Sequence, residues 1–98
     1  MILNHDLRVS GALRAGNILT GEVTVTPVAN SPTSYVVSGH NLAGTGTTRA
    51  WVTANTLVPG TVLGLGVTDI TPAGFTIWVY RTNATATLVR WISIRDLA

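Results

Sequence analysis

The sequence predicts an all-β fold, a six-stranded antiparallel β-sandwich led by an extended N-terminal arm. Threonine, valine and glycine dominate from Ile18 onward, a composition suited to pleated, half-buried strands. Six short runs of this kind alternate with turn signals at regular spacing, as in two-sheet antiparallel folds. No segment offers a credible helix of ten residues, and no internal repeat is present.

Residues 1–17 read as a separate arm and residues 18–98 as the sandwich domain. In the arm Leu3, Leu7, Val9 and Leu13 alternate with small and charged residues. Asp6 could cap a helix, but Gly11 and Gly16 would interrupt it within two turns. An extended arm with turns at Ser10-Gly11 and Ala15-Gly16 is therefore expected. It has little to bury alone and would be ordered by docking those four aliphatic side chains on another protein.

The first strand is expected over about Leu19 to Pro27, where Val23 and Val25 alternate with Glu22, Thr24 and Thr26. Asn30-Ser31-Pro32 is a turn signal, and a second strand follows over about Thr33 to Gly39. The stretch His40 to Thr47, with Gly44-Thr45-Gly46, reads as a flexible loop. The third strand, Thr48 to Asn55, puts Trp51 and Thr53 on one face and Ala50, Val52 and Ala54 on the other. Pro59-Gly60 marks a turn. In the fourth strand, about Thr61 to Asp69, Gly64 and Gly66 permit a neighbouring backbone or a bulky ring to approach.

After a turn at Thr71-Pro72-Ala73-Gly74, the stretch from Gly74 to Ile94 reads as a β-hairpin with two apolar arms. On the first arm Phe75, Ile77 and Val79 oppose Thr76, Trp78 and Tyr80. On the second, Leu88, Arg90, Ile92 and Ile94 oppose Val89, Trp91 and Ser93. The connection Arg81 to Ala86 lacks Asn-Gly, so a turn of four to six residues is expected. A strand in a small antiparallel fold needs one apolar face, because the other meets water. Two apolar faces imply that another copy of the chain covers the second.

Composition points the same way. The 98 residues suffice for one domain, which buries roughly two-thirds of the unfolded surface. Charged residues make up only 10% of the chain and hydrophobic ones 46%, against about 25% charged in an ordinary soluble domain. No run reaches the roughly 18 apolar residues of a spanning helix, and no signal peptide opens the chain. Assembly is the expected outlet for so little charge. The net charge of +2 comes from six scattered arginines and no lysine, so no nucleic-acid patch is expected. Cysteine is absent, which excludes disulfides and thiolate metal sites.

Catalysis has little to stand on. His5 and His40 have no carboxylate or cysteine at ligand spacing, and a lone loop histidine is ordinarily solvated. Asp6, Glu22, Asp69 and Asp96 lie on different segments, and no Gly-x-Ser-x-Gly elbow exists. The glycines at 44 and 46, and at 64 and 66, precede no helix that could cradle phosphate. No enzyme activity, metal or cofactor is expected. Binding is better provided for. Arg81, Thr82 and Asn83 crown the hairpin above Trp78 and Tyr80, and guanidinium forks, amides and ring faces suit sugars. The competing reading makes Trp78 and Tyr80 subunit-interface residues, and Arg81 and Asn83 plain turn residues. Asn83-Ala84-Thr85 also fits the glycosylation triplet, which matters only in a secretory setting. Arg90 is expected either to pair with Asp69 or Glu22 of a neighbouring subunit or to sit as an exposed edge charge that discourages aggregation.

Several segments resemble a known family. Asn17-Ile18 with Thr20-Gly21, Ser31-Pro32-Thr33, Val67-Thr68-Asp69-Ile70-Thr71-Pro72-Ala73-Gly74-Phe75 and Val89-Arg90-Trp91-Ile92-Ser93-Ile94 are similar to H-type lectin domains. The similarity extends to the H-type-lectin-like ends of tail proteins from phages of actinobacteria, where a segment like Leu7 to Ile18 leads into the sandwich. It covers about residues 17 to 98. It implies a homotrimeric six-stranded sandwich. In the lectins it implies N-acetylgalactosamine held by an arginine before the fourth-strand core and a Trp-His pair in the last turn. Here Thr61-Val62 and Thr82-Asn83 stand at those places, so the sugar site does not carry over.

The expectation is a virion protein that acts at a phage tail tip or fibre and adheres to the host envelope, with a host-surface glycan as its ligand. The alternative is a capsid decoration or head-fibre protein clamping capsomers through the arm. Ninety-eight residues opening on Met favour that alternative, since they fit a complete small protein better than the end of a fibre. A free soluble lectin is a third, weaker expectation. No membrane insertion is expected in any of them.

Overall fold

A computed structural model of the chain describes residues 16–98. All six expected strands form: β1 (Ile18–Val25), β2 (Thr33–Val37), β3 (Thr48–Asn55), β4 (Val62–Thr71), β5 (Gly74–Arg81) and β6 (Thr87–Arg95). One short 3₁₀ turn, Pro59–Thr61, precedes β4. The protein is all-β. Its strands make two three-stranded antiparallel sheets, ordered β1-β6-β3 and β2-β5-β4. Among the described residues no helix is long and apolar enough to cross a membrane.

This topology corrects the hairpin expected over Gly74 to Ile94. β5 and β6 do not pair; each is the central strand of a different sheet. The segment between them crosses from one sheet to the other. The physical reason lies in the inner faces of the two strands. Phe75, Ile77 and Val79 on β5 and Val89 and Trp91 on β6 are all buried in one cluster. Pairing edge to edge would set them side by side, whereas facing each other they cover one another. The true hairpin is β4–β5, closed at Thr71 to Gly74, where Thr71 Oγ1 accepts from the backbone N–H groups of Ala73 and Gly74.

The alternation predicted for the late strands holds. Phe75, Ile77 and Val79 face inward while Trp78 is exposed and Tyr80 half-buried. On β6, Thr87, Val89, Trp91 and Ser93 are buried and Arg90 is exposed. Phe75 meets Trp91 edge to face across the core, with ring centroids 5.2 Å apart. Val25 of β1 and Val37 of β2 complete the buried cluster, with Val23, Ala50, Val52, Leu65 and Val67 packed against it.

Glycine plays the role predicted for it, at another position. Gly64 and Gly66 border open space or an ordinary contact, so no ring presses on either. The ring-bearing site is Gly21, directly opposite Trp91 in the β1–β6 register. A Cβ at Gly21 would lie 2.5 Å from Cζ2 of Trp91. The indole therefore lies against bare backbone.

The stretch His40 to Thr47 is tied down rather than flexible. Leu42 is buried, and backbone N–H groups of Leu42, Ala43, Thr45 and Gly46 donate to Pro72, Gly16, Leu97 and Asp96. Arg95 adds donors to the carbonyls of Gly46 and Leu42, 3.3 and 3.2 Å away. This stretch without strand character is held because much of its polar backbone is matched to the β4–β5 turn, to Gly16 and to residues 96 and 97.

Gly21→Ala should lower stability by about 1–3 kcal/mol, the cost of overpacking a closed site. Gly66→Ala, with nothing within 4 Å of the added carbon, should leave it unchanged or raise it. Urea denaturation of both variants checks the contrast.

Candidate functional site

The candidate site lies where β5 ends and the chain crosses to β6. Arg81 is the last residue of β5 and continues the inward alternation of Phe75, Ile77 and Val79. It does not crown the fold: it is 2% exposed, at the end of the core. Its Nη1 donates to Thr87 Oγ1 at 2.8 Å, and its Nη2 to Thr61 Oγ1 at 2.6 Å. Each hydroxyl passes its own proton to a loop carbonyl, Thr87 to Thr85 at 3.0 Å and Thr61 to Val58 at 2.9 Å. One guanidinium thus braces the β3–β4 loop and the β5–β6 crossover together. Its Nε–H finds no acceptor among the described residues.

No carboxylate among the described residues pairs with Arg81. Glu22 pairs with Arg90 and Asp96 with Arg49. Beside the arginine, between the two braced loops, is a recess of about 380 Å³. Asn55, Asn83 and Thr85 supply polar groups on its wall, and Leu57, Val58 and Ala86 supply apolar ones. Leu57 is fully exposed.

The other expected ligand-binding residues divide between two roles. Asn83 is half-buried, and its Oδ1 accepts from the Thr85 N–H at 3.2 Å, the self-capping turn typical of asparagine. Thr82 is exposed, with its N–H bound to the Thr61 carbonyl. Arg81, Thr82 and Asn83 share one end of the molecule, but Arg81 acts from beneath.

Trp78 and Tyr80, the expected interface residues, lie on the outer face of the β2-β5-β4 sheet, opposite Gly66 and Gly64. The Trp78 indole donates to Thr68 Oγ1 at 2.8 Å, and its relative exposure of 37% leaves a broad ring edge in water. Val36, at 64%, shares that face.

Arg90 is exposed and lies on the outer face of its sheet. It pairs with Glu22 of its own chain at 3.2 Å, directly opposite across β1 and β6. It is no edge charge, because β6 is a central strand. Thr53 stands opposite Arg90 on β3, and farther along the same outer face Trp51, half exposed, stands opposite Ile92, with Ile94 and Ile18 beyond. Trp51 was legible as a face residue from alternation alone, although nothing in its strand marked that face as uncovered.

His40 is half-buried rather than solvated, tilted against Trp91 with ring centroids 5.0 Å apart. Among the described residues no group of three His, Cys, Asp or Glu could hold a metal ion. Leu3, Leu7, Val9 and Leu13, the expected docking residues, lie outside the described residues, as does His5. No protein-family model, curated protein or solved structure matches the chain.

Thr87→Val should cost about 1–3 kcal/mol in thermal or denaturant unfolding, because it strands a buried charged donor. Glu22→Gln, which removes a pair more than half exposed on both sides, should change stability by less than about 1 kcal/mol.

Proposed function

We propose that the chain is one protomer of a homotrimeric virion protein with an H-type-lectin-like β-sandwich. It serves as an adhesion module at a phage tail tip or fibre and meets a host-envelope glycan. Residues 1–17 attach it to neighbouring virion proteins. The role is one of binding and building, without bond chemistry.

The observation that carries this reading is the pair of apolar outer faces. Trp78, Tyr80 and Val36 lie on one sheet, and Trp51, Ile92 and Ile94 on the other. The Arg90–Glu22 and Arg49–Asp96 pairs, with Thr20 and Thr53, are interspersed on the second face or at its border. Burying a large side chain of this kind is worth about 1.5–3 kcal/mol, so leaving both faces in water forgoes several such gains. A chain with 10% charged residues has few other means of staying dispersed. The threefold arrangement and the virion setting rest on the resemblance of residues 17 to 98 to H-type-lectin-like tail ends.

Sedimentation of the purified chain at micromolar concentration should give a trimer, and a lone monomer would overturn the reading. Trp78→Ala should weaken the trimer by about 2 kcal/mol or more per interface, as loss of a central aromatic anchor does. Density for the protein in virions should fall at the tail; at the head it would assign a capsid decoration role instead.

A further inference from the structure

We infer that the recess beside Arg81 takes an acidic sugar, one whose carboxylate answers the uncompensated guanidinium beneath. The choice of a sugar rests on the adhesion reading above; the negative charge rests on the site alone. A buried cation without a counter-ion is a costly arrangement, tolerated when hydrogen bonds and an opposite charge complete it. Arg81 has the hydrogen bonds only in part, since two hydroxyls accept from it and Nε–H has no acceptor. The open Nε–H is itself enclosed, so what the site lacks is a counter-ion for the charge.

The described chain does not supply one. Glu22 and Asp96 are engaged with other arginines. Asp69 sits at the far end of β4, in left-handed backbone (φ 54°) between the register points Thr68↔Thr76 and Thr71↔Gly74. Arg81 pairs with Val62 at the opposite end of that strand. Seven residues at about 3.3 Å each put Asp69 roughly 23 Å along the strand from Val62.

The recess suits such a ligand. Its 380 Å³ falls within the roughly 300–1,000 Å³ of small-molecule sites. The Asn55 and Asn83 amides and the Thr85 hydroxyl can meet sugar hydroxyls, and Leu57 and Val58 can meet the C–H face of a ring. Arg81 itself is part of the recess wall, so a carboxylate held there lies beside the guanidinium and feels its charge directly.

Calorimetric titration of the purified full chain with the methyl glycosides of galacturonic acid, its carboxylate free, and of galactose separates charge from shape. The acid should bind about tenfold more tightly or better, the worth of a charge-assisted hydrogen bond. That preference should shrink as salt is raised. Arg81→Gln risks the fold, so the decisive variant is Leu57→Asp, which changes a fully exposed residue at the mouth. It should abolish the preference for the acid while the melting temperature stays unchanged. Equal affinity for the two sugars, or no binding of the acid by folded protein, overturns the inference. So does an acid preference that Leu57→Asp leaves intact. A trimer that ignores the acid would sink this inference and spare the assembly reading. A monomer that prefers the acid would do the reverse.

Discussion

Two central strands that share no backbone hydrogen bond hold this molecule together. β5 and β6 are paired on both sides within their own sheets, and their contact with each other is through side chains alone. Phe75 against Trp91, with Ile77, Val79 and Val89 fully enclosed, makes up most of that contact. The edge-to-face geometry contributes about 0.5–1.5 kcal/mol beyond the area buried. Gly21 belongs to the same constraint, because the Trp91 indole reaches its place only over a backbone without a side chain. The crossover between β5 and β6 inherits its path from this arrangement: it must span the two layers where the apolar run ends.

Arg81 stands at that transition. The inward alternation of β5 carries it into the core whether or not its charge is welcome there. The fold accommodates it with hydroxyls rather than carboxylates, and Thr61 and Thr87 each hand the polarity on to a loop. A guanidinium suits this task because its donors form a rigid fork that can hold two loops at once. The recess lies between those two loops, so the residue that closes this end of the core also forms part of its wall.

The outer faces obey a different logic. A central strand in a three-stranded sheet has neighbours on both sides, so its outward residues are shielded along the sheet and exposed only above it. Ile92 and Ile94 are half-buried for this reason, while Trp51, on the edge strand β3, remains half exposed. Large side chains on such faces stay solvated only at a cost. The intrachain pairing of Arg90 with Glu22 leaves a neutral charge pair in the middle of one face, compatible with either water or a polar partner group.

Most of the local structure was legible in the residues. The alternation of Phe75, Ile77 and Val79 with Trp78 and Tyr80 specified which faces would be buried, because strand geometry leaves no other choice. Pro72-Ala73-Gly74 and Asn30-Ser31-Pro32 marked turns through their restricted backbones, and the six strands followed from the segments between. Which strands would pair was not legible. Thr82 to Ala86 can close a hairpin or cross between layers with equal ease, and only the burial of Trp91 opposite Phe75 chose. The same holds for Arg81, whose sequence neighbours mark it as a turn residue, and for His40 to Thr47, whose glycines read as freedom. Sequence alone determined the periodicity, the turns and the scarcity of charge, since these are properties of neighbouring residues. The tertiary structure decided sheet membership, the burial of Arg81 and the anchoring of the glycine loop, because each depends on atoms that meet only after distant segments have packed.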